Sequence, residues 1–231
     1  MVIVVTGGTR GIGRGLAEHF TGQGHQVVVC GSKDGDVSDR RQVQAVWDAA
    51  VRRHGRVDMW INNAGITQSR LPLWELSADE AERVVDVNLL GVINGCSVAL
   101  SGMTVQGHGH VWNMEGLGSD GRAVAGLAVY GATKRALTYL TRALAKEVPK
   151  GVSVGLLSPG MVITDLLLSD LTPRTRKVYD ILADRVETVT PWLAEQAIAK
   201  AANGAHVRWL TTSKVIARFA TAPFTKRKVV P

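Results

Sequence analysis

The chain opens on an unbroken apolar run, Met1 to Val5, and ends it abruptly in Thr6-Gly7-Gly8-Thr9-Arg10-Gly11-Ile12-Gly13. A short apolar run without polar alternation is what a parallel strand covered on both faces looks like. The next segment, Gly15-Leu16-Ala17-Glu18-His19-Phe20, returns apolar residues at helical spacing. The same exchange of periods recurs along the chain. Strands are expected at Gln26 to Cys30, Val57 to Ile61, His110 to Asn113 and Val152 to Leu157. Helices are expected over about Ser38 to His54, from Ser77 to about Ser101, and over Ala128 to Glu147. Ser38 or Asp39 caps the first of these helices, and Ser77-x-x-Glu80 is a capping-box signature for the second. Strand and helix in strict alternation predict an α/β fold with a doubly wound parallel sheet and helices on both faces. Ligands of such sheets sit beyond the carboxyl ends of the strands.

Composition narrows this further. At 231 residues the chain suits one sizeable domain, and 45% hydrophobic with 20% charged residues is ordinary soluble composition. The longest apolar stretches read as strand-length, so no membrane-crossing helix or stable membrane insertion is expected. A first strand beginning at residue 2 leaves no room for a leader, which sets the expectation of a cytoplasmic protein. Two cysteines, Cys30 and Cys96, lack metal-ligand spacing and read as buried thiols in a reducing compartment, with no metal site. The formal charge of +7 gathers partly in Lys226-Arg227-Lys228, Arg52-Arg53 and Arg174 to Lys177. No basic stripe is interleaved with aromatics, so nucleic acid is not the expected partner. Solvated surface is the plain reading of these charges. Steering of an anionic cofactor, or contact of the tail and segment 213–224 with an anionic membrane, are the alternatives.

Three motifs carry chemistry. In the first, Gly7 allows a tight turn, Gly11 lets the backbone approach a pyrophosphate, and Gly13 lets helix and strand pack closely. The helix that follows offers the anion free amides and a positive dipole end. In the second, Asn62-Asn63-Ala64-Gly65 ends the strand at 57–61, where amides and a glycine suit bracing of that turn, although a polar turn would use the same residues. In the third, Tyr130 and Lys134 lie four apart in Val-Tyr-Gly-Ala-Thr-Lys, on one face of a helix. A phenol titrates near ~10, and a neighbouring ammonium would lower that value. Such pairs also arise on ordinary amphipathic helices, so the company of the other two motifs matters.

In this order and spacing the motifs resemble the short-chain dehydrogenase/reductase family, over most of the chain. Asn88 in Val87-Asn88-Leu89, and the run Pro159-Gly160-Met161-Val162-Ile163-Thr164, match two further family positions. The resemblance implies a single Rossmann-type domain that moves hydride between a nicotinamide cofactor and a carbonyl or alcohol. Tyr130 would give or take the proton. Lys134 would bond the nicotinamide ribose and lower the Tyr130 pKa, and Asn88 would hold a water relaying protons to Lys134. Gly7, Thr9, Arg10, Gly11, Ile12, Gly13, Asn63, Ala64, Gly65, Pro159, Gly160, Val162 and Thr164 would line the cofactor, with Thr164 on its carboxamide. The family normally runs a further helix and strand between the strand at 26–30 and an Asp-Val pair on the adenine. Here only Gly31 to Gly35 precedes Asp36-Val37. A crossover takes a dozen or more residues, so one edge strand and its helix are trimmed after residue 31.

An NAD site places a carboxylate at the end of the second strand, where Gly31 stands here. Arg10, Ser32 and Lys33 would instead meet a 2′-phosphate. NADP(H) is therefore favoured over NAD(H), with Asp34 and Asp36 as the contrary signs. The family's substrate-orienting serine falls near Gly116, which has no hydroxyl. Ser119, the one serine in the glycine-rich loop after Asn113, is the candidate in its place, and backbone amides are the alternative. Asp120 and Glu115 read as loop or cap residues. The run Asn-Met-Glu-Gly-Leu-Gly-Ser ahead of the tyrosine, with Val207-Arg208-Trp209-Leu210-Thr211-Thr212 in the tail, looks like the chlorophyll b reductase-like branch. Met161 to about Trp192 should form a substrate lid, with Leu166, Leu167, Leu168 and Leu171 as its apolar surface, and with Trp192 and Trp74 bordering the pocket. A helix should start at Pro173 and Arg174. Pairing through the two long helices makes a homodimer or homotetramer the expected assembly. A cofactor-binding regulator without turnover is the competing reading, and a membrane-surface reductase of a lipid-like or tetrapyrrole substrate is a third.

Overall fold

A computed structural model describes residues 1–231 except Asp34, Asp170, Lys226 and Pro231, and describes Pro173 and Arg174 by their backbone alone. The expectations placed on Asp34 and Lys226, and on the side chains of Pro173 and Arg174, lie outside the described residues. Strands β1 (Val2–Thr6), β2 (Gln26–Cys30), β3 (Met59–Asn62), β4 (Gly109–Met114), β5 (Val152–Ser158) and β8 (His206–Arg208) form one sheet in the order β2-β1-β3-β4-β5-β8. Every neighbouring pair is parallel. A two-stranded ribbon, β6 (Val162–Ile163) with β7 (Asp184–Arg185), stands apart from it.

The apolar strands supply two cores because alternate residues face opposite ways. Ile3, Val5, Met59, Ile61 and Trp112 pack with Leu16 and Phe20 of α1 (Gly11–Gly22) and Leu193 of α8 (Val186–Ala199). Val4, Trp60 and Val111 face the other way, onto α2 (Arg40–His54), α4 (Gly91–Gln106) and α5 (Ala128–Glu147). The strand order reverses between β1 and β3, which opens the crevice at their carboxyl ends.

β2 is the outermost strand on its side, so the trimmed edge is real. Residues 31–39 carry the chain from β2 to α2, where Asp39 caps the helix by accepting from the Arg41 amide at 2.8 Å. The short connection is pinned from below. Asn94 of α4 donates to the carbonyls of Val37 and Ser38 at 3.0 and 2.9 Å, and Val37 packs on Gly91, where a Cβ would collide with it.

The second long helix departs from expectation at both ends. Ser77 caps α3 (Ala78–Val85), but the Glu80 carboxylate accepts from the Ser69 amide, so the capping box is half formed and a loop is held instead. Beyond α3 the chain makes a π turn at Asp86–Leu90, runs on as α4 to Gln106, and stops at left-handed Gly107. Ala78–Gln106 is thus long and apolar enough to cross a membrane by length and composition, contrary to the expectation that apolar stretches are strand-length. Half of its most apolar window is buried in the fold, where α4 packs on α2, β3 and β4. A core helix produces the same composition.

The segment after β5 is built on its own small core. After Thr164 come α6 (Asp165–Leu168) and α7 (Pro173–Leu182), then β7. Leu167, Leu168 and Leu171 pack with Tyr179, Ala183 and the tail residue Val230. Buried Asp184 ties the carboxyl end to this segment. It accepts from Trp209 Nε1 at 2.6 Å, Arg218 Nη2 at 2.7 Å and Arg227 Nη2 at 2.8 Å. Arg218, in α9 (Thr212–Thr221), and Arg227 are therefore anchors and not solvated surface.

Candidate active site

The crevice at the sheet's carboxyl edge is a cleft of about 730 Å³. Gly7 and Gly11 enter it with φ of 62° and 53°, a region that a side chain resists. A Cβ on Gly7 would sit 2.8 Å from the Ala64 Cα, and one on Gly13 would strike Asn63 and the Gly7 carbonyl. Asn63 braces the turn, its Nδ2 donating to the carbonyls of Thr6 and Gly7 at 2.9 and 3.1 Å. The Thr6 hydroxyl accepts from the amides of Asn63 and Ala64 at 3.0 and 3.1 Å, locking the two loops together. The glycine turn leads straight into the amino end of α1, where no side chain caps the helix. A positively charged, donor-rich cradle of this shape fits a dinucleotide's pyrophosphate.

Of the expected cofactor residues, Thr9, Arg10, Ile12, Ser32, Asp36, Val37, Asn63, Ala64, Gly65 and Thr164 line the cleft with Gly7 and Gly11. Tyr130 and Lys134 line it as well, and Gly13, Lys33, Pro159, Gly160 and Val162 do not. Gly13 lies behind the turn as packing. Exposed Lys33 stands off the lining. Gly160, with φ of 72°, closes on Leu210, and Val162 is buried in the ribbon with β7. Pro159 likewise stays outside, and from this loop it is Thr164 that reaches over the Gly11 turn. One oxygen of the exposed Asp36 carboxylate accepts within its own loop, from the Ser38 amide at 2.9 Å and hydroxyl at 2.8 Å.

Tyr130 and Lys134 rise from the first turns of α5 into the same cleft, both buried. The Lys134 Nζ donates to the Met114 carbonyl at 3.4 Å and lies 6.0 Å from the Tyr130 ring centroid. Burial pushes the phenol up to about 12, partly offset by a hydrogen bond from the Leu117 backbone. Burial also pulls Lys134 down to about 8, against the charge of Glu115. The expectation that Lys134 lowers the Tyr130 pKa is thus not met by the residues alone. Desolvation of the phenol dominates, with the Lys134 ammonium 6.0 Å from the ring centroid.

Asn88 is fully buried in the π turn, and its side chain faces backbone. It accepts from the Ile66 amide and donates to the Ile66 carbonyl, each at 2.8 Å. This fixes the loop after Gly65, whose added Cβ would lie 3.3 Å from Asn88 and 3.4 Å from Lys134 Nζ. Ser119 does not reach the cleft. Its hydroxyl donates to the Lys134 carbonyl at 3.2 Å and accepts from the Gly116 amide at 3.1 Å, so it staples the loop to α5. Gly116 fills the space beside the phenol, since a Cβ there would lie 2.5 Å from the Tyr130 oxygen. Leu166 alone of the leucine run lines the cleft. Trp74 is exposed on the surface, and Trp192 packs edge-on to Trp209 at 5.2 Å, so neither borders the pocket.

Glu115 is the residue that sequence reasoning misplaced. It is buried on the cleft wall, neither loop surface nor cap. Its carboxylate oxygens meet Thr138 Oγ1 at 3.3 Å and His206 Nε2 at 2.7 Å. A charged residue closing an apolar strand, directly ahead of a glycine loop, was the available signal.

With this geometry in place, likeness to known proteins becomes informative. Residues 32–173 match the short chain dehydrogenase family. Chlorophyll(ide) b reductase NOL, chloroplastic, of Arabidopsis thaliana is 36% identical over 246 residues, covering 92% of this chain and 70% of that protein. The NADPH-dependent pterin aldehyde reductase of Arabidopsis thaliana is 32% identical over 188 residues, covering 72% of this chain and 77% of its own. Among solved structures, 3-ketoacyl-(acyl-carrier-protein) reductase from Brucella melitensis, complexed with NADH, superposes with a TM-score of 0.80 at 25% identity, covering 90% of this chain and 96% of that one. The chain belongs to the short chain dehydrogenase family, in the chlorophyll b reductase-like branch. It is an oxidoreductase of the kind that uses NAD(H) or NADP(H). The expectation of a cytoplasmic location is overturned, because the relatives of this branch are chloroplastic and point to a plastid. An early first strand dictates how the chain folds, not where it is delivered.

Proposed function

We propose that the protein is an NADP(H)-dependent reductase of an aldehyde or ketone on an apolar small molecule, working in reverse on the alcohol. The observation that carries this reading is one cleft holding the glycine turn, Tyr130 and Lys134 together. Bound NADPH would supply the hydride for the carbonyl carbon. Tyr130 is held protonated at neutral pH by burial, which suits a donor to the carbonyl oxygen. As the proton leaves, the phenolate that remains is stabilised by the Lys134 ammonium across the ring face. Asn88 keeps Ile66 and Gly65 in place against Lys134. A proton relay at this position would use the Asn88 main chain, because the side chain is engaged by Ile66. Substrate orientation does not fall to the Ser119 hydroxyl, which is taken up by the Gly116 amide and the Lys134 carbonyl.

The cofactor preference rests on what surrounds the ribose. Buried Gly31 has no carboxylate, Arg10 and Ser32 are exposed on the cleft wall, and Asp36 is turned onto Ser38. Among the described residues, a 2′-phosphate would find the Arg10 guanidinium and the Ser32 hydroxyl there, while a free 2′-hydroxyl would find Asp36, one oxygen of which is already taken by Ser38. The pterin aldehyde reductase likeness supports the same preference. The chlorophyll(ide) b reductase likeness makes a formyl group on a large apolar ring the first substrate to try.

Tyr130→Phe tests the chemistry. Turnover of NADPH with an active carbonyl substrate should fall by about 10²–10⁴, while NADPH binding, followed by nicotinamide fluorescence, stays within about twofold. Unchanged consumption in this variant would overturn the enzymatic reading and favour a cofactor-binding regulator.

A further inference from the structure

The face of α5 that carries Tyr130 and Lys134 continues one turn on to Thr138, and all three residues are buried. Opposite that stripe, at the end of β4, lies the Glu115 carboxylate. Thr138 Oγ1 holds one of its oxygens at 3.3 Å, and His206 Nε2 holds the other at 2.7 Å. His206 is the first residue of β8, and Arg208, two residues along that strand, lies against its ring at 3.0 and 3.1 Å. The carbonyl of Met114, next to Glu115 in sequence, takes the Lys134 ammonium. A buried ammonium without a counter-charge is costly and tends to give up its proton. Met114 and Glu115 are also the β4-side residues of the cleft wall.

We infer that Glu115, aimed by His206 and Thr138, is a positioning residue that keeps Lys134 charged and thereby governs the pH at which Tyr130 can work. This rests on the catalytic reading of Tyr130 and Lys134 given above. The Glu115 carboxylate is held by Thr138 from α5 and His206 from β8, with Arg208 behind His206, and the Lys134 ammonium of α5 meets the adjacent Met114 carbonyl. Burial lowers the Lys134 pKa, and the Glu115 charge opposes that fall. Glu115 takes no part in the redox change: NADPH would supply the hydride that reduces the carbonyl carbon, and Glu115 acts only through Lys134. The proton that Tyr130 loses is the one the substrate gains. His206 is a sheet-edge residue 91 positions from Glu115, so the sheet itself sets the alignment.

The test uses the full chain and a readout that needs no turnover. NADPH binding, measured by nicotinamide fluorescence across pH, should weaken as Lys134 loses its proton. In Glu115→Gln the midpoint of that weakening should fall by about one pH unit or more, and the basic limb of kcat/KM should move with it. If Glu115→Gln does not fold, His206→Leu takes its place. That variant should move the midpoint in the same direction, while His206→Gln, which keeps a donor for the carboxylate, should restore the wild-type midpoint. The inference is overturned if Glu115→Gln, or His206→Leu in its stead, titrates with the wild type. It is equally overturned if wild-type binding is flat up to pH ~10. Should Tyr130→Phe keep its turnover, the catalytic reading fails first. Should Tyr130→Phe be inactive and Glu115→Gln titrate normally, only the role of Glu115 falls.

Discussion

Gly116 shows how tightly single atoms constrain this cleft. A side chain there would put its Cβ 2.5 Å from the Tyr130 oxygen and 3.1 Å from the Lys134 Cε. Restoring the serine usual at this place in the family would thus push the phenol off its line instead of adding a useful hydroxyl. Gly116→Ala and Gly116→Ser should each lose roughly a hundredfold in kcat, since ~1 Å of misplacement is enough for that. NADPH binding should change little, because the glycine turn and Asn63 lie across the cleft. Steady-state kinetics beside fluorescence titration check this, and a gain in kcat for Gly116→Ser would show that the loop yields. Tyr130, Lys134 and the glycines were legible in the sequence because their spacing is local. The roles of Ser119 and Glu115 were not. Ser119 is decided by where the Lys134 carbonyl lies, and Glu115 by a histidine on a distant strand.

Elements were read more reliably than their ends. Helix α5 falls on the expected residues, since its apolar face repeats without interruption from Ala128 to Glu147. The helix before it was placed but cut short, and the π turn inside it went unseen. Asn88 sits there because it bonds both ways with the Ile66 backbone, a tertiary demand that leaves no periodic trace. The outer faces of α4 and α5 have a consequence for assembly. Ile93, Leu100, Leu140 and Leu144 line an open groove of about 330 Å³ between them, and Ile93 and Leu90 are exposed. A second copy laid along this groove would cover it, as the homodimer or homotetramer proposed from the sequence requires. Ile93→Glu should convert such an assembly to monomer without lowering the melting temperature of the monomer fold. Light scattering after size exclusion reads the mass, and an unchanged mass would place the pairing face elsewhere.

Across the whole molecule, the acid response should come from the end of the sheet farthest from the chemistry. His110 opens β4 from the amino side, buried, its Nδ1 on Ser153 at 2.6 Å and its ring 4.2 Å from that of Trp112, while its buried Nε2 has no partner. Burial pulls its pKa from 6.5 down to about 3. The folded protein therefore keeps His110 neutral where the unfolded chain protonates it. Between about pH 6.5 and 3 the unfolded state binds the extra proton, so stability is full above that window and falls through it as pH drops. The slope is about 1.4 kcal/mol per pH unit from this one ring. The carboxylates Asp58, held low by the Val2 amide and Arg56, and Asp184, held low by Trp209, Arg218 and Arg227, begin to lose their contribution only once pH falls below the ordinary carboxylate value of about 3.8. Over the interval from about pH 6 to 4.5 these carboxylates are silent, and His110 titrates with His25, whose ring burial also holds low, so only the difference between wild type and a His110 variant reads His110. Replacing it with phenylalanine keeps the ring against Trp112 and removes the titration. Urea denaturation of His110→Phe at a series of pH values should show a flatter loss of stability over that interval than the wild type, with NADPH binding at neutral pH unaltered. Parallel stability curves for the two proteins would mean that His110 opens to solvent before it is protonated, and that the acid response has another origin.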